Sequence, residues 1–307
     1  MRKTLTALLS ILLIGTIGIG CRNKLALDAN GVPNTLVVAI YEGDNPGDVE
    51  KALVLIRPYL EKKLNMKVEF QKSTDYTSVI EAIDSKKVHM AYLSPFSYIL
   101  ATRKDPLVPL VVLSQNGSPV LYRSLIVTSP KTGLNNMDDV KARAKDLTLC
   151  FADPASTSGH LVPRAYLTSI GLNPDNAFKE TMFAGSHAAS AMTVKAGKVD
   201  IGCIYQFALE MMIRKNMIKP DDLKILWTSD PIVEGPVTMR TDINPDFAQK
   251  VRQAYYDMPK EAPLAWTTYV SIYRNNTAGM AYVAAADSMY DNVRRISAGV
   301  RNLDFKK

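Results

Sequence analysis

Continuous apolar runs alternate with amphipathic ones from residue 35 onward, and the alternation predicts a β–α–β order. TLVVAIY (35–41) is apolar throughout, the pattern of a strand covered on both faces. NPGDVEKALVLIRPYLEKKLN follows with helical periodicity, Pro58 predicting a break, and then KVEFQ reads as a second strand. Strand, helix and strand in that order imply parallel pairing.

The pattern then repeats at a distance. Shifted by 111 positions, DYTSVIEAIDSKKVHMAYLSPFSY (75–98) lies over SHAASAMTVKAGKVDIGCIYQFAL (186–209), so that Ile80 meets Ala191, Ala82 meets Thr193, Lys87-Val88 meet Lys198-Val199 and Ala91 meets Gly202. Two copies of a helix, turn, strand, loop unit predict two similarly built lobes rather than a short-period solenoid. LYRSLIVTSP (121–130) closes the first unit and DLTLCFADP (146–154) opens the second, which predicts a crossing between lobes near 121–128. Pro231, Gly235 and Pro236 punctuate a strand near 223–240 that returns the chain to the first lobe. Asn244 and Pro245 then start a helix with Phe247, Val251, Ala254 and Met258 on one face, and a further helix is expected over much of 277–296. The lobes thus span 35–124 with 236–307, and 125–235.

The first twenty residues differ from all of this. Arg2 and Lys3 precede an uncharged run from Leu5 to Gly20, the pattern of an export signal over 1–20. Cys21 directly follows and reads as the lipid-bearing first residue of a bacterial lipoprotein, with 21–34 as its tether, so the protein is expected in the periplasm or at the cell surface, held to the membrane by that lipid. Cys150 and Cys203 sit in strand-like runs as core thiols; whether they pair stays open.

The chain of 307 residues is 47% hydrophobic, enough for two lobes of roughly 100–150 residues each. Its net charge of +7 is spread over single and paired basic residues, which argues against nucleic acid as a partner. His89, His160 and His187 show no metal-binding spacing, there is no G-x-S-x-G elbow, and both strand cysteines are apolar-flanked. Catalysis, a resident metal and a cofactor are therefore not expected.

Binding chemistry concentrates in DPASTSGHLVPRAYL (153–167), where Ser156, Thr157, Ser158 and Gly159 lie between a strand and a helix. In open sheets that position faces the ligand, and helix N-termini offer amides and a partial positive charge to an anion. Pro163 predicts a loosened first turn. Ser94 in AYLSPFSYIL reads as the N-cap of the corresponding helix in the first lobe, its amides meeting the same anion from the other side. Under the 111-residue shift Tyr76 falls on His187, each at a helix start facing the cleft.

STSGHLVP after ADPA, AYLSPFSY after a strand, TDYTSVI and FAGSHAASAMTVKAGKVD, in that order over most of 36–240, resemble the phosphonate, phosphite and phosphate substrate-binding proteins of ABC importers. The resemblance implies the type II periplasmic-binding-protein fold, an α/β architecture of two lobes, each a mostly parallel sheet flanked by helices, with the ligand cleft between them. It implies oxyanion contacts at Ser94, Ser156, Thr157 and His187, with Tyr76 and Tyr122 lining the cleft, Ser158 and Gly159 completing the motif and Tyr205 adjoining it. Helix dipoles and His187 would offset the ligand's charge, and the partners would be a small oxyanion, an ABC permease and its ATPase. Family members that take aminoalkylphosphonates hold the ammonium with carboxylates; here IYQFAL and PIVEGPV offer Tyr205, Gln206 and only Glu234, one position out of register, which favours phosphite, phosphate or methylphosphonate. Lys87 and His89 stand where Gly and Asp are usual, at the turn into a strand. An envelope sensor or a surface lipoprotein on the same fold is the alternative.

Overall fold

The computed structural model describes residues 25–300. The expectations of an export signal over 1–20 and of lipid at Cys21 lie outside these residues. In chain order the elements are β1 (Thr35–Tyr41), α1 (Pro46–Leu64), β2 (Lys67–Ser73), α2 (Tyr76–Asp84), β3 (Met90–Tyr92), α3 (Pro95–Ala101), β4 (Leu107–Gln115), β5 (Ser118–Pro119), β6 (Leu121–Tyr122) and β7 (Ser124–Thr128). Then come α4 (Met137–Arg143), β8 (Thr148–Phe151), α5 (Val162–Ser169), β9 (Glu180–Phe183), α6 (His187–Lys195), β10 (Ile201–Tyr205), α7 (Gln206–Arg214) and β11 (Lys224–Thr228). The chain closes with β12 (Ile232–Val233), β13 (Pro236–Arg240), α8 (Pro245–Glu261), α9 (Pro263–Val270), β14 (Met280–Ala284) and α10 (Asp291–Gly299).

Two sheets form the lobes. The larger runs β14-β4-β13-β3-β1-β2 with β5 on β4, and the smaller runs β11-β7-β10-β8-β9. The continuous apolar runs pair in parallel as expected, β1 with β2 and β3, and β8 with β9 and β10. The strands next to the crossings run the other way: β13 is antiparallel to β3 and β4, and β7 to β10 and β11. Each sheet is therefore mixed, because the chain enters the second lobe on β7 and re-enters the first on β13. At the crossings β6 and β12 pair with each other as a two-stranded ribbon between the sheets.

Packing explains the elements. Leu125 and Val127 of β7 pack with Val194, Ile204 and Met211 on one face of the smaller sheet, and Ile126 packs with Leu149, Phe151 and Leu167 on the other. The larger sheet's core, around Val38, Leu53, Ile56, Met90, Val111, Val251 and Tyr255, continues across the cleft to Ala155, Leu161, Val162 and Phe207. Cys150 and Cys203 are both buried free thiols on neighbouring strands.

Three expectations are corrected. Pro58 does not break α1, since Val49, Ala52, Leu53, Ile56 and Leu60 bury a face on both sides of it. Val54, whose carbonyl would have taken the missing bond, lies on the exposed face of the helix. Residues 277–296 do not form one helix: Met280 and Tyr282 alternate with less buried neighbours, and β14 completes the edge beside β4. The chain is also not a loose tether up to Asn34. Leu25, Leu27 and Val32 pack on the larger core, and the Asn244 amide donates to Gly31 O at 2.9 Å.

Candidate functional site

A cavity of about 170 Å³ lies between the lobes. It is built from helix starts. Asp75 caps α2, Ser94 caps α3, Ser156 caps the turn that leads into α5, and Ser186 caps α6, each through its side chain. That leading turn, Thr157–Leu161, is a π-helical turn, the loosening that Pro163 predicted: Val162 N–H bonds back to Thr157 O, and the proline follows it without opposing an α-helical carbonyl.

The protein's own acceptors answer most amides at these starts. In α3, Ser97 N–H donates to Ser94 Oγ at 3.2 Å and Phe96 N–H to Thr157 Oγ1 at 2.8 Å. In α2, Tyr76 N–H donates to Asp153 Oδ2 at 3.4 Å, and in α6, Ala188 N–H donates to Asp44 Oδ1 at 2.9 Å. The amides of Thr157 and Ser158 take no acceptor among the described residues. Both residues line the cavity. The expectation that α3 amides meet the anion is thus corrected: they are engaged by Ser94 and Thr157, and of that cap Ser94 lines the cavity.

His187 is 2% exposed, and its orientation is fixed from behind. Tyr205 N–H donates to Nδ1 at 3.0 Å, so Nδ1 carries no proton and Nε2 carries one. Nε2 stands 3.3 Å from Ser156 Oγ and 3.4 Å from Tyr76 Oη. Burial lowers the imidazole's pKa further, with Asp44 opposing. His187 therefore supplies a neutral N–H donor rather than a charge, which corrects the expectation that it offsets the ligand's charge. Burial likewise pushes the phenols of Tyr76, Tyr122 and Tyr205 well above their usual value, which keeps them as O–H donors.

Tyr76, Ser94, Tyr122, Ser156, Thr157, Ser158, His187 and Tyr205 all line this cavity. Gly159 does not. It lies behind the wall, its N–H donating to Ser156 Oγ at 3.0 Å, and a Cβ there would stand 2.4 Å from Ala152 Cβ and 2.8 Å from His187 Cε1. Its part is to let the π-turn approach the imidazole.

Further lining residues had no motif to reveal them. Tyr41 at the end of β1 stacks on Tyr76 with ring centroids 3.9 Å apart, Asp44 lies on the loop that follows, Tyr269 comes from the last turn of α9, and Tyr273 and Arg274 arrive from the segment between α9 and β14. Tyr41 ends β1 and Asp44 stands just beyond it, the place where strand-end reasoning looks for ligand contacts; Arg274 gives no local signal. The charged side chains of the lining are Asp44, Glu234 and Arg274. Arg274 lies 3.2 Å from Glu234 Oε2, which also accepts the Tyr205 hydroxyl at 2.9 Å, and its guanidinium sits 3.3 Å over the Phe207 ring. Behind the cleft, burial pushes Asp153 up to about 6. Among the described residues no group of three His, Cys, Asp or Glu is placed to hold a metal ion.

Residues 38–290 match the model of a family described as phosphonate ABC-transporter periplasmic substrate-binding proteins. The chain is 28% identical over 267 residues to the phosphate-import protein PhnD of Mycolicibacterium smegmatis, covering 82% of this chain and 81% of that one. It is 30% identical over 202 residues to the phosphonates-binding periplasmic protein of Escherichia coli, covering 66% and 59% of the two chains. The structure of PhnD1 from Prochlorococcus marinus in complex with methylphosphonate superposes with a TM-score of 0.74 at 20% identity, covering 86% of this chain and 97% of that one, which is a likeness of fold.

Proposed function

The chain belongs to the family of periplasmic substrate-binding proteins of phosphonate ABC transporters, and from that premise we propose that it is a lipid-tethered receptor that encloses a phosphonate, phosphite or phosphate-like oxyanion and delivers it to an ABC permease and its ATPase. The observation that carries the ligand assignment is the π-turn: two amides without an acceptor among the described residues, in one wall with the Ser156 and Thr157 hydroxyls and the neutral Nε2–H of His187. Such a set offers hydrogen bonds to several oxygens of one tetrahedral anion, and a helix dipole adds to it. Nothing in this arrangement acts on the ligand. The lobes bind it, exclude water and release it on opening. Cys21 as the lipid-bearing residue would hold the receptor at the membrane beside its permease.

Titration calorimetry of the purified protein with phosphate, phosphite, methylphosphonate and 2-aminoethylphosphonate tests the assignment, with Thr157→Ala and His187→Ala alongside. One-to-one binding of at least one ligand is expected, weakened roughly 10- to 100-fold in each variant, as befits a hydrogen bond to a charged group. No heat from any of the four with folded, ligand-free protein would remove the phosphorus-oxyanion assignment and leave the fold.

A further inference from the structure

One carboxylate in the cavity wall has no counter-charge. Glu234 is answered by Arg274 and by the Tyr205 hydroxyl. Asp44 is only 9% exposed; its Oδ1 accepts the Ala188 N–H at 2.9 Å, and its Oδ2 takes no donor among the described residues. It lines the same cavity as Ser156, Thr157 and His187, and its Ala188 bond sets it one residue from His187, at the start of α6. The wall's one cation, Arg274, is occupied, and the imidazole is neutral because Nδ1 accepts from Tyr205. An oxyanion that can only accept hydrogen bonds would meet Asp44 as a bare like charge at a buried position, where such repulsion is poorly screened.

We propose, resting on the reading of this site as a phosphorus-oxyanion receptor, that Asp44 selects ligands that bring a proton: the P–OH of a phosphonate or phosphite monoanion donates to Asp44 Oδ2. The isosteric sulfonates are fully ionised in water and have no proton to give, so the same carboxylate excludes them. Discrimination then comes from a repulsive element as much as from the donors opposite. A site that must hydrogen-bond a ligand O–H rejects an analogue lacking it far more strongly than a shape difference would.

Four ligands separate a P–OH from an ammonium as the partner of Asp44: methylphosphonate, methanesulfonate, 2-aminoethylphosphonate and 2-aminoethanesulfonate. In Asp44→Asn the amide oxygen keeps the Ala188 bond while the amide nitrogen turns the acceptor into a donor. The wild-type protein is expected to bind methylphosphonate at least 10-fold more tightly than methanesulfonate, and Asp44→Asn to narrow that ratio at least 10-fold by gaining affinity for the sulfonate. Asp44→Ala removes the acceptor without adding a donor and is expected to narrow the ratio by losing methylphosphonate affinity; thermal melts of both variants show that they are folded. An unchanged ratio in both folded variants overturns the inference. So does wild-type binding of both amino ligands, the sulfonate included, lost in both variants, since Asp44 then serves an ammonium. Absence of binding by all four ligands instead removes the receptor reading on which the inference rests.

Discussion

Gly159 contributes no group to the cavity wall, yet the wall depends on its lack of a side chain. A Cβ at this position would press on Ala152 and on the His187 ring, and both neighbours are buried. Displacing the ring would loosen the Tyr205 bond to Nδ1 that fixes the Nε2–H. Gly159→Ala is expected to lower stability by about 1–3 kcal/mol, the usual range for overpacking, and to weaken ligand binding at least 10-fold. A thermal melt with a calorimetric titration checks this; full affinity would mean that the turn shifts without carrying the imidazole. The hydroxyl residues of the site were legible in the sequence because a helix start that binds an anion needs caps and small donors close together, as Ser94 and Ser156–Ser158 show. Tyr273 and Arg274 were not, because tertiary packing brings their segment to the cavity from far along the chain, and Tyr41 and Asp44 had only their place at the end of β1 to mark them.

At the level of elements the 111-residue repeat carries over to the fold. Asp75 and Ser186 are the caps, α2 and α6 span equivalent residues, and β3 with α3 corresponds to β10 with α7. Its most direct product is the Tyr76–His187 contact across the cleft. The unit was readable because its core needs the same apolar periodicity in both lobes. β14 was not, since alanines around a short alternation suit a helix locally and only the open edge of β4 makes them a strand. The histidines join elements. His89 Nδ1 accepts Val37 N–H of β1, His160 Nε2 accepts Arg164 Nε–H of α5, and His187 Nδ1 accepts Tyr205 N–H at the end of β10. Burial pushes His89 and His160 down to about 4 from the ordinary 6.5 and lowers His187 as well. The unfolded chain therefore takes up protons first as pH falls, so stability that is complete above pH 6.5 is lost progressively towards pH 4. Asp153, pushed up to about 6 in the folded protein, has the opposite sign and offsets part of one histidine's effect. Asp84, raised by burial as well, adds to that offset, and three histidines against two carboxylates decide the balance. The melting temperature is expected to fall by several degrees between pH 6.5 and 4.5, and a flat calorimetric profile over that range would refute the assignment of neutral, element-joining imidazoles.

At the level of the whole molecule, the lobes are tied at two depths. The inner ties lie beside the cavity wall at Thr157: Phe96 N–H to Thr157 Oγ1 at 2.8 Å, and Ser97 Oγ to Ala155 O at 3.0 Å. The outer ties stand further out, at the rim, although Ile272, which offers them its backbone carbonyl, also lines the cavity. Arg214 at the end of α7 donates to Ser271 O at 3.0 Å and Ile272 O at 2.7 Å, on the segment that brings Tyr273 and Arg274 to the cavity, and Lys215 pairs with Asp48 of α1. With crossings at β6 and β12 as the hinge, opening must break both sets, and Thr157 of the inner set also lines the cavity. The rim thus raises affinity through the share of protein that is closed, without adding a contact to the ligand. Arg214→Ala is expected to weaken binding about 5-fold, on the order of 1 kcal/mol for such partly exposed bonds. The loss should appear in the dissociation rate, because opening is the step the rim resists. It should also leave the order of preference among ligands unchanged, since no group that faces the ligand has moved. Stopped-flow dissociation and titrations with two ligands measure both quantities. A changed preference order would mean that Arg214 acts through the Tyr273–Arg274 segment on the cavity itself, and an unchanged dissociation rate would mean that the inner ties alone hold the lobes together.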